Sequence, residues 1–103
     1  HARNVASCIL FLINKGTISE KYNIVGEREV SNIELAKMIS SFVGKKLDYE
    51  MVDFHSSRPG HDLRYSLADE NLKKLGWKQP SNFEESLRKT VDWTLKNKKW
   101  LEY

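Results

Sequence analysis

The stretch Ser57-Arg58-Pro59-Gly60-His61-Asp62 holds the densest set of groups that could do chemistry. Proline fixes one φ angle at about −65°, and the glycine after it is free to take a left-handed one. A turn built this way can aim both Arg58 and His61. A guanidinium fork matches two phosphate oxygens at once, and an imidazole donates to a phosphate or a hydroxyl. The same residues also read as a plain surface turn closed by an Arg58–Asp62 ion pair, which is worth little in water. Asn23 is a second candidate, because it interrupts the apolar run Tyr22-Asn23-Ile24-Val25 just before Gly26. Ligand-binding groups in α/β proteins gather at the carboxyl ends of strands. The alternative is an edge-strand amide facing water. Arg64, Tyr65 and Tyr22 could stack on a base or reach a phosphate, although aromatic residues more often pack.

Several chemistries have no residues to carry them. No glycine-rich G-x-G-x-x-G or G-x-x-G-x-x-G run is present, so no dinucleotide fingerprint exists in the chain. No G-x-S-x-G elbow occurs. No tyrosine is followed four residues later by lysine: Tyr22, Tyr49 and Tyr65 lead to Gly26, Asp53 and Asp69. His55 has no partner at metal-ligand spacing, and no His/Cys/Asp/Glu group matches a zinc or iron site. Cys8 sits in the apolar run Val5–Ile13 and reads as a buried, inert thiol. A single cysteine allows no internal disulfide and suits a reducing compartment.

The elements that must position these residues follow from periodicity. Ala2, Val5, Ala6, Ile9, Leu12 and Ile13 recur at helical spacing, with Leu10 and Phe11 on other faces. That pattern predicts a helix covered on more than one side. Lys15-Gly16 predicts its end, through a cation at the dipole's negative pole and a residue suited to a left-handed cap. Lys21–Val25 reads as a short strand. Ser31-x-x-Glu34 is a capping box. Leu35, Ala36, Ile39, Phe42 and Val43 form the expected buried face of the helix behind it, which Gly44 ends. Residues 47–54 read as a second strand and 63–67 as a short extended piece. Residues 69–75 predict two helical turns stopped by Gly76. Asn82 with Glu85 caps a last helix carrying Phe83, Leu87, Val91 and Leu95, with Trp93 and Trp100 on an adjoining stripe. The expected fold class is a small mixed α/β or α+β domain, with helices around a small sheet. Two strands alone are marginal, so such a sheet needs support from elsewhere.

Composition bounds the rest. The chain has 103 residues, 17 Lys+Arg against 14 Asp+Glu, and 40% apolar residues. That allows one modest domain and neither a disordered nor a collagenous chain. Its apolar run is far shorter than the roughly 20 residues that span a bilayer. Lysines at 45–46 and 96–99 are interleaved with acids, so a solvated helix face explains them as well as nucleic-acid binding does. The chain opens at His1 directly into a helical pattern, which reads as a piece of a longer polypeptide.

Taken in order, these motifs resemble a family. His1-Ala2-Arg3, Tyr22-Asn23-Ile24-Val25-Gly26, Arg58-Pro59-Gly60-His61-Asp62-Leu63-Arg64-Tyr65, Leu75-Gly76-Trp77 with Pro80, Phe83-Glu84 and Thr90-Val91-Asp92-Trp93 look like the carboxy-terminal part of nucleotide-sugar 4,6-dehydratases. These are the dTDP-glucose and UDP-glucose enzymes among extended short-chain dehydrogenases/reductases (extended SDR). The resemblance implies a substrate-binding domain over residues 1–103, with the NAD-binding Rossmann domain and its catalytic Tyr/Lys pair lying outside this chain. It implies contacts to a nucleotide diphosphate sugar at Asn23, Ser57, Arg58, Pro59, Gly60 and His61, with Arg58 on the pyrophosphate and His61 as second contact. It implies a cytoplasmic enzyme, commonly a homodimer, that oxidises the sugar at C4, eliminates water across C5 and C6, and returns the hydride at C6. No catalytic residue is expected within the chain, which alone should be inactive. Ser57 departs from the family's pattern, since that position is usually acidic and a serine cannot hold Arg58 by charge. His61 favours a dehydratase over related epimerases, which often carry Asp there. Other extended SDR enzymes, epimerases or decarboxylases, and a stand-alone nucleotide-sugar-binding or interaction module remain the alternatives.

Overall fold

A computed structural model describes residues 1–60, 62 and 64–102, with side chains at all of these except positions 54 and 55. Its elements are helices: α1 (Ala2–Lys15), α2 (Asn32–Val43), α3 (Phe54–Ser57), α4 (Glu70–Leu75) and α5 (Phe83–Lys96), followed by a 3₁₀ turn at Lys98–Trp100.

The helix ends follow local chemistry. The Ser31 hydroxyl accepts the Glu34 amide at 3.2 Å, and the Asn82 side-chain oxygen accepts the Glu85 amide at 2.8 Å. Each satisfies an orphan donor of the first turn. Only half of the expected capping box at Ser31 is used, because the Glu34 carboxylate turns to Arg28 at 3.4 Å. Gly44 and Gly76 end α2 and α4 in left-handed backbone. Gly16 differs from expectation: it ends α1 in extended backbone at φ −70°. A glycine is still required there, since a Cβ would lie 2.7 Å from the Leu12 carbonyl oxygen. Gly16→Ala should therefore cost about 1–3 kcal/mol, the range for overpacking that forces the backbone to shift. A denaturation midpoint equal to that of the parent would refute the close approach.

The expected sheet is not present: among the described residues there is no strand. At residues 21–25 the two terminal carbonyls are taken by side chains instead of a neighbouring strand. Asn71 Nδ2 donates to the Lys21 carbonyl at 3.2 Å, and Gln79 Nε2 donates to the Val25 carbonyl at 2.7 Å. At the end of the second expected strand, Asp53 starts a helical turn. Its carboxylate accepts the Ser56 amide at 2.8 Å, and its carbonyl accepts the Ser57 amide at 3.1 Å. An Asx-type cap thus outcompetes extension locally.

The core is thin. Cys8, Leu72 and Val91 are the buried apolar residues among those described. α2 packs on α5, with the Arg88 guanidinium 4.3 Å above the Phe42 ring. The expected α2 face, Leu35, Ala36, Ile39, Phe42 and Val43, is half-buried throughout. α1 is tied to the start of α5 by the buried Asn4, whose amide donates to the Ser81 carbonyl at 2.9 Å.

Residues of this chain cover α1 on one side. It buries Asn4 and Cys8 while Val5, Ile9, Leu10 and Ile13 face solvent. The stripe left open is the more apolar one, as expected where a further domain packs. The radius of gyration is 17.2 Å, whereas a self-sufficient domain of this length has about 13 Å. Trp93 and Trp100, expected on a stripe adjoining that of Phe83, Leu87, Val91 and Leu95, are half-exposed and tilt against each other with centroids 6.4 Å apart.

Candidate functional site

An open groove of 1370 Å³ is lined by residues 24–32, by Arg58, Asp62, residues 64–67 and Asp69, and by Leu72 and Trp77 among others. That exceeds the roughly 300–1,000 Å³ of a closed small-molecule pocket and suits an elongated ligand or a site completed by other chain.

Arg58 lies on this groove. It follows α3 directly. Gly60, two residues on, has φ +81°, the left-handed backbone expected of the Pro-Gly turn. The expected rival reading, an Arg58–Asp62 ion pair, is not found among the described residues, although both side chains line the groove.

The groove's other arginines are engaged. Arg28 pairs with Glu34 at 3.4 Å and lies 5.3 Å over the Phe83 ring. Arg64 holds Glu29 through both carboxylate oxygens, Nε to Oε2 at 2.7 Å and Nη2 to Oε1 at 2.9 Å. Lys73 pairs with Asp69 at 2.8 Å. Among the described residues, Arg58 is thus the arginine of the groove whose fork is not committed to a carboxylate. Such a cation can bind an anion without first breaking an ion pair.

Glu29 is the most perturbed carboxylate. Hydrogen bonds from Arg64 and from the Ser66 hydroxyl hold its pKa at about 2, below its ordinary 4.5. The folded value is depressed, so the clamp's contribution is fully present above the ordinary value and is lost as pH falls through the folded one. The window therefore runs from 4.5 down to about 2. A carbon-detected NMR titration should find the Glu29 midpoint at about 2 and, in Arg64→Ala, a return toward 4.5. An unshifted midpoint in the parent would rule the clamp out.

The other sequence candidates scatter. Asn23 is exposed and commits an amide hydrogen to the Ala68 carbonyl at 2.9 Å, and it does not line the groove. Ser57 ends α3, and Pro59 and Gly60 shape the turn without lining the groove. His61 lies outside the described residues. Tyr65 lines the groove and is largely exposed, so it is available for stacking. Tyr22 instead accepts the Thr17 amide at 2.9 Å on its hydroxyl. Sequence reasoning missed Glu29 and Ser66, and also Glu27, whose carboxylate accepts the first amide of α5 at Phe83. Among the described residues no cluster could hold a metal ion, and no helix is long and apolar enough to cross a membrane.

The site is thus an open groove lined by basic and acidic side chains in nearly equal number, on a helical scaffold whose first helix keeps an apolar stripe uncovered. Comparison with known proteins makes this specific. The chain is 37% identical over 100 residues to the Arabidopsis thaliana trifunctional UDP-glucose 4,6-dehydratase/UDP-4-keto-6-deoxy-D-glucose 3,5-epimerase/UDP-4-keto-L-rhamnose-reductase, covering 97% of this chain and 15% of that protein. It is 37% identical to the dTDP-glucose 4,6-dehydratase of Shigella flexneri, covering 94% of this chain and 28% of that one. The crystal structure of the Bacillus anthracis dTDP-glucose 4,6-dehydratase in complex with NAD superposes with a TM-score of 0.81 at 35% identity, covering 97% of this chain and 31% of that one. No family model matches the chain. The chain is therefore related, in sequence and fold, to part of the nucleotide-sugar 4,6-dehydratases, and it spans less than a third of the length of these relatives.

Proposed function

We propose that residues 1–103 form the carboxy-terminal nucleotide-sugar-binding domain of a cytoplasmic, NAD-dependent 4,6-dehydratase, homodimeric when intact, that converts dTDP- or UDP-glucose to the 4-keto-6-deoxy sugar. The observation that carries the reading is the relation at 35% to 37% identity, over 94% to 97% of the chain, to enzymes of that name. The geometry supports it through Arg58, a guanidinium with no carboxylate partner among the described residues, on a long open groove.

Within this reading the chain binds and orients. Arg58 takes the pyrophosphate, His61 provides the second contact, and Pro59 and Gly60 set the turn. Asn23 and Ser57 complete the sugar-nucleotide contacts. Asn23 can do so while donating one amide hydrogen to Ala68, since its other hydrogen and its oxygen remain for a ligand. The residues of this chain do not fit NAD, because the glycine-rich fingerprint and the Tyr-x-x-x-Lys pair are absent from the sequence. NAD belongs to the preceding Rossmann domain, for which the open stripe Val5, Ile9, Leu10 and Ile13 on α1 is the packing face.

Product analysis tests the reading. The intact enzyme supplied with dTDP- or UDP-glucose should release a 4-keto-6-deoxy sugar, and the 103-residue chain alone should release nothing. A C4-epimerised or decarboxylated sugar would replace the dehydratase with another extended SDR activity. A natural polypeptide of only 12.0 kDa would leave a binding module without an enzyme.

A further inference from the structure

We infer that Glu29 is a positioning residue for the nucleotide-sugar site: its carboxylate, gripped by Arg64 and Ser66, holds the segment behind the Arg58 turn and so sets where Arg58 stands on the groove. The inference rests on the proposed binding role of that groove.

Three observations carry it. First, Glu29 lines the groove, as do Arg64 and Ser66, and its carboxylate ties these two segments of the lining directly together. The pair is separated by 35 residues in sequence and is bidentate, which fixes direction as well as distance. Second, the described residues show little else that holds residues 64–68. Arg64, Tyr65, Ser66 and Leu67 are exposed, so burial does not anchor them. Among the described residues, the other side-chain hydrogen bond to residues 62–68 is that of Asn23 to the Ala68 carbonyl, beyond the clamp. Third, Arg64 stands six residues after Arg58 and both line the groove, so a grip on Arg64 restrains the stretch of chain that carries Arg58. Glu29 is committed to Arg64, and Arg58 has no carboxylate partner among the described residues. The depressed pKa agrees with this, since a carboxylate held at about 2 remains charged and clamped across the neutral range.

A set of substitutions separates the effect of Glu29 on Arg58 from a general effect on folding. In the intact enzyme, Glu29→Gln keeps size and shape but removes the charge and one acceptor oxygen. Its KM for the nucleotide sugar should rise roughly tenfold, the lower end expected for loss of one charge-assisted contact, with kcat within about twofold. Arg64→Lys keeps the charge and removes the planar fork, and it should raise KM in the same direction. Should Glu29→Gln fold poorly, Arg64→Lys carries the test alone. The deciding measurement is each variant in an Arg58→Ala background. Once Arg58 is gone, a residue that acts by placing it has nothing left to place, so neither variant should raise KM further. A merely structural role would instead multiply through. If Arg58→Ala raises KM but Glu29→Gln and Arg64→Lys leave it unchanged, or raise it equally in both backgrounds, the positioning role is overturned while the binding groove stands. If Arg58→Ala itself leaves KM unchanged, the assignment of the groove fails, and the positioning role with it.

Discussion

Arg58→Ala in the intact enzyme should weaken nucleotide-sugar binding by about 1.5–3 kcal/mol, roughly ten- to a hundredfold in Kd, the worth of a hydrogen bond to a charged group. The expectation rests on what surrounds Arg58. Arg28 is shared between Glu34 and the Phe83 ring, and Arg64 is locked to Glu29. Either would have to surrender an internal partner to meet a phosphate. Arg58 has no carboxylate to surrender among the described residues, so its interaction with an anion is not offset in that way. For the same reason its loss should leave stability almost untouched, since exposed side chains away from a network rarely matter to folding by more than about 0.5 kcal/mol. Calorimetry with the nucleotide sugar and a denaturation curve on the same preparation read the two quantities together. An unchanged Kd would remove Arg58 from the site, and a large loss of stability would mean that it is structural.

Leu72→Ala is expected to be the largest stability change, about 2–4 kcal/mol. Leu72 is 2% exposed, one of three buried apolar residues among those described, and it is among the residues that line the groove. So thin a core cannot spread the loss over other layers. The substitution removes transfer free energy and leaves a cavity at α4, the helix that holds the Lys21 carbonyl through Asn71. α4 is only Glu70–Leu75, too short to persist on propensity alone. With α4 loosened, Asn71 would release the Lys21 carbonyl, and the 21–25 segment would keep only the Gln79 bond to Val25 of these two side-chain anchors. Small domains have a total stability of about 5–15 kcal/mol, so a fall of this size is a large fraction of it. A shift below about 0.5 kcal/mol in chemical denaturation, the scale of ordinary surface changes, would show that Leu72 is not at the core. Leu72→Met, which conserves volume, should cost less than about 1.5 kcal/mol and separates packing from any general intolerance at that position.

The comparison of α1 with α2 shows where reading from the sequence succeeds and stops. Both helices have the expected lengths, because their stops lie within a turn of the residues they stop. Their faces differ in outcome. On α2 the expected apolar face is the face turned inward, half-buried throughout. On α1 the most regular apolar stripe points outward, and the chain buries Asn4 and Cys8 instead. Periodicity reports that a stripe wants burial, and it does not report which neighbour provides it. The site divides the same way. The turn at Arg58-Pro59-Gly60 was legible because proline and glycine dictate backbone locally. Gly60 has the left-handed φ of +81° that such a turn requires. The Glu29 clamp was not legible, because nothing within a short window around Glu29 or Arg64 signals a partner 35 residues away.

By itself, then, the sequence determined the helix limits at Ser31, Gly44, Gly76 and Asn82, the turn that presents Arg58, and the ordered motifs that relate the chain to the dehydratases. The limits and the turn rest on hydrogen bonds and backbone preferences that act within about four residues. Tertiary structure decided that the 21–25 segment is held by the side-chain amides of Asn71 and Gln79 rather than by a second strand. It also decided that Asn23 donates to Ala68, that Glu29 claims Arg64 while Arg58 has no carboxylate partner among the described residues, and that α1 keeps its apolar stripe uncovered. Each of these is a choice between partners of similar intrinsic strength, and such choices are made by which segments the fold brings within a hydrogen bond of one another.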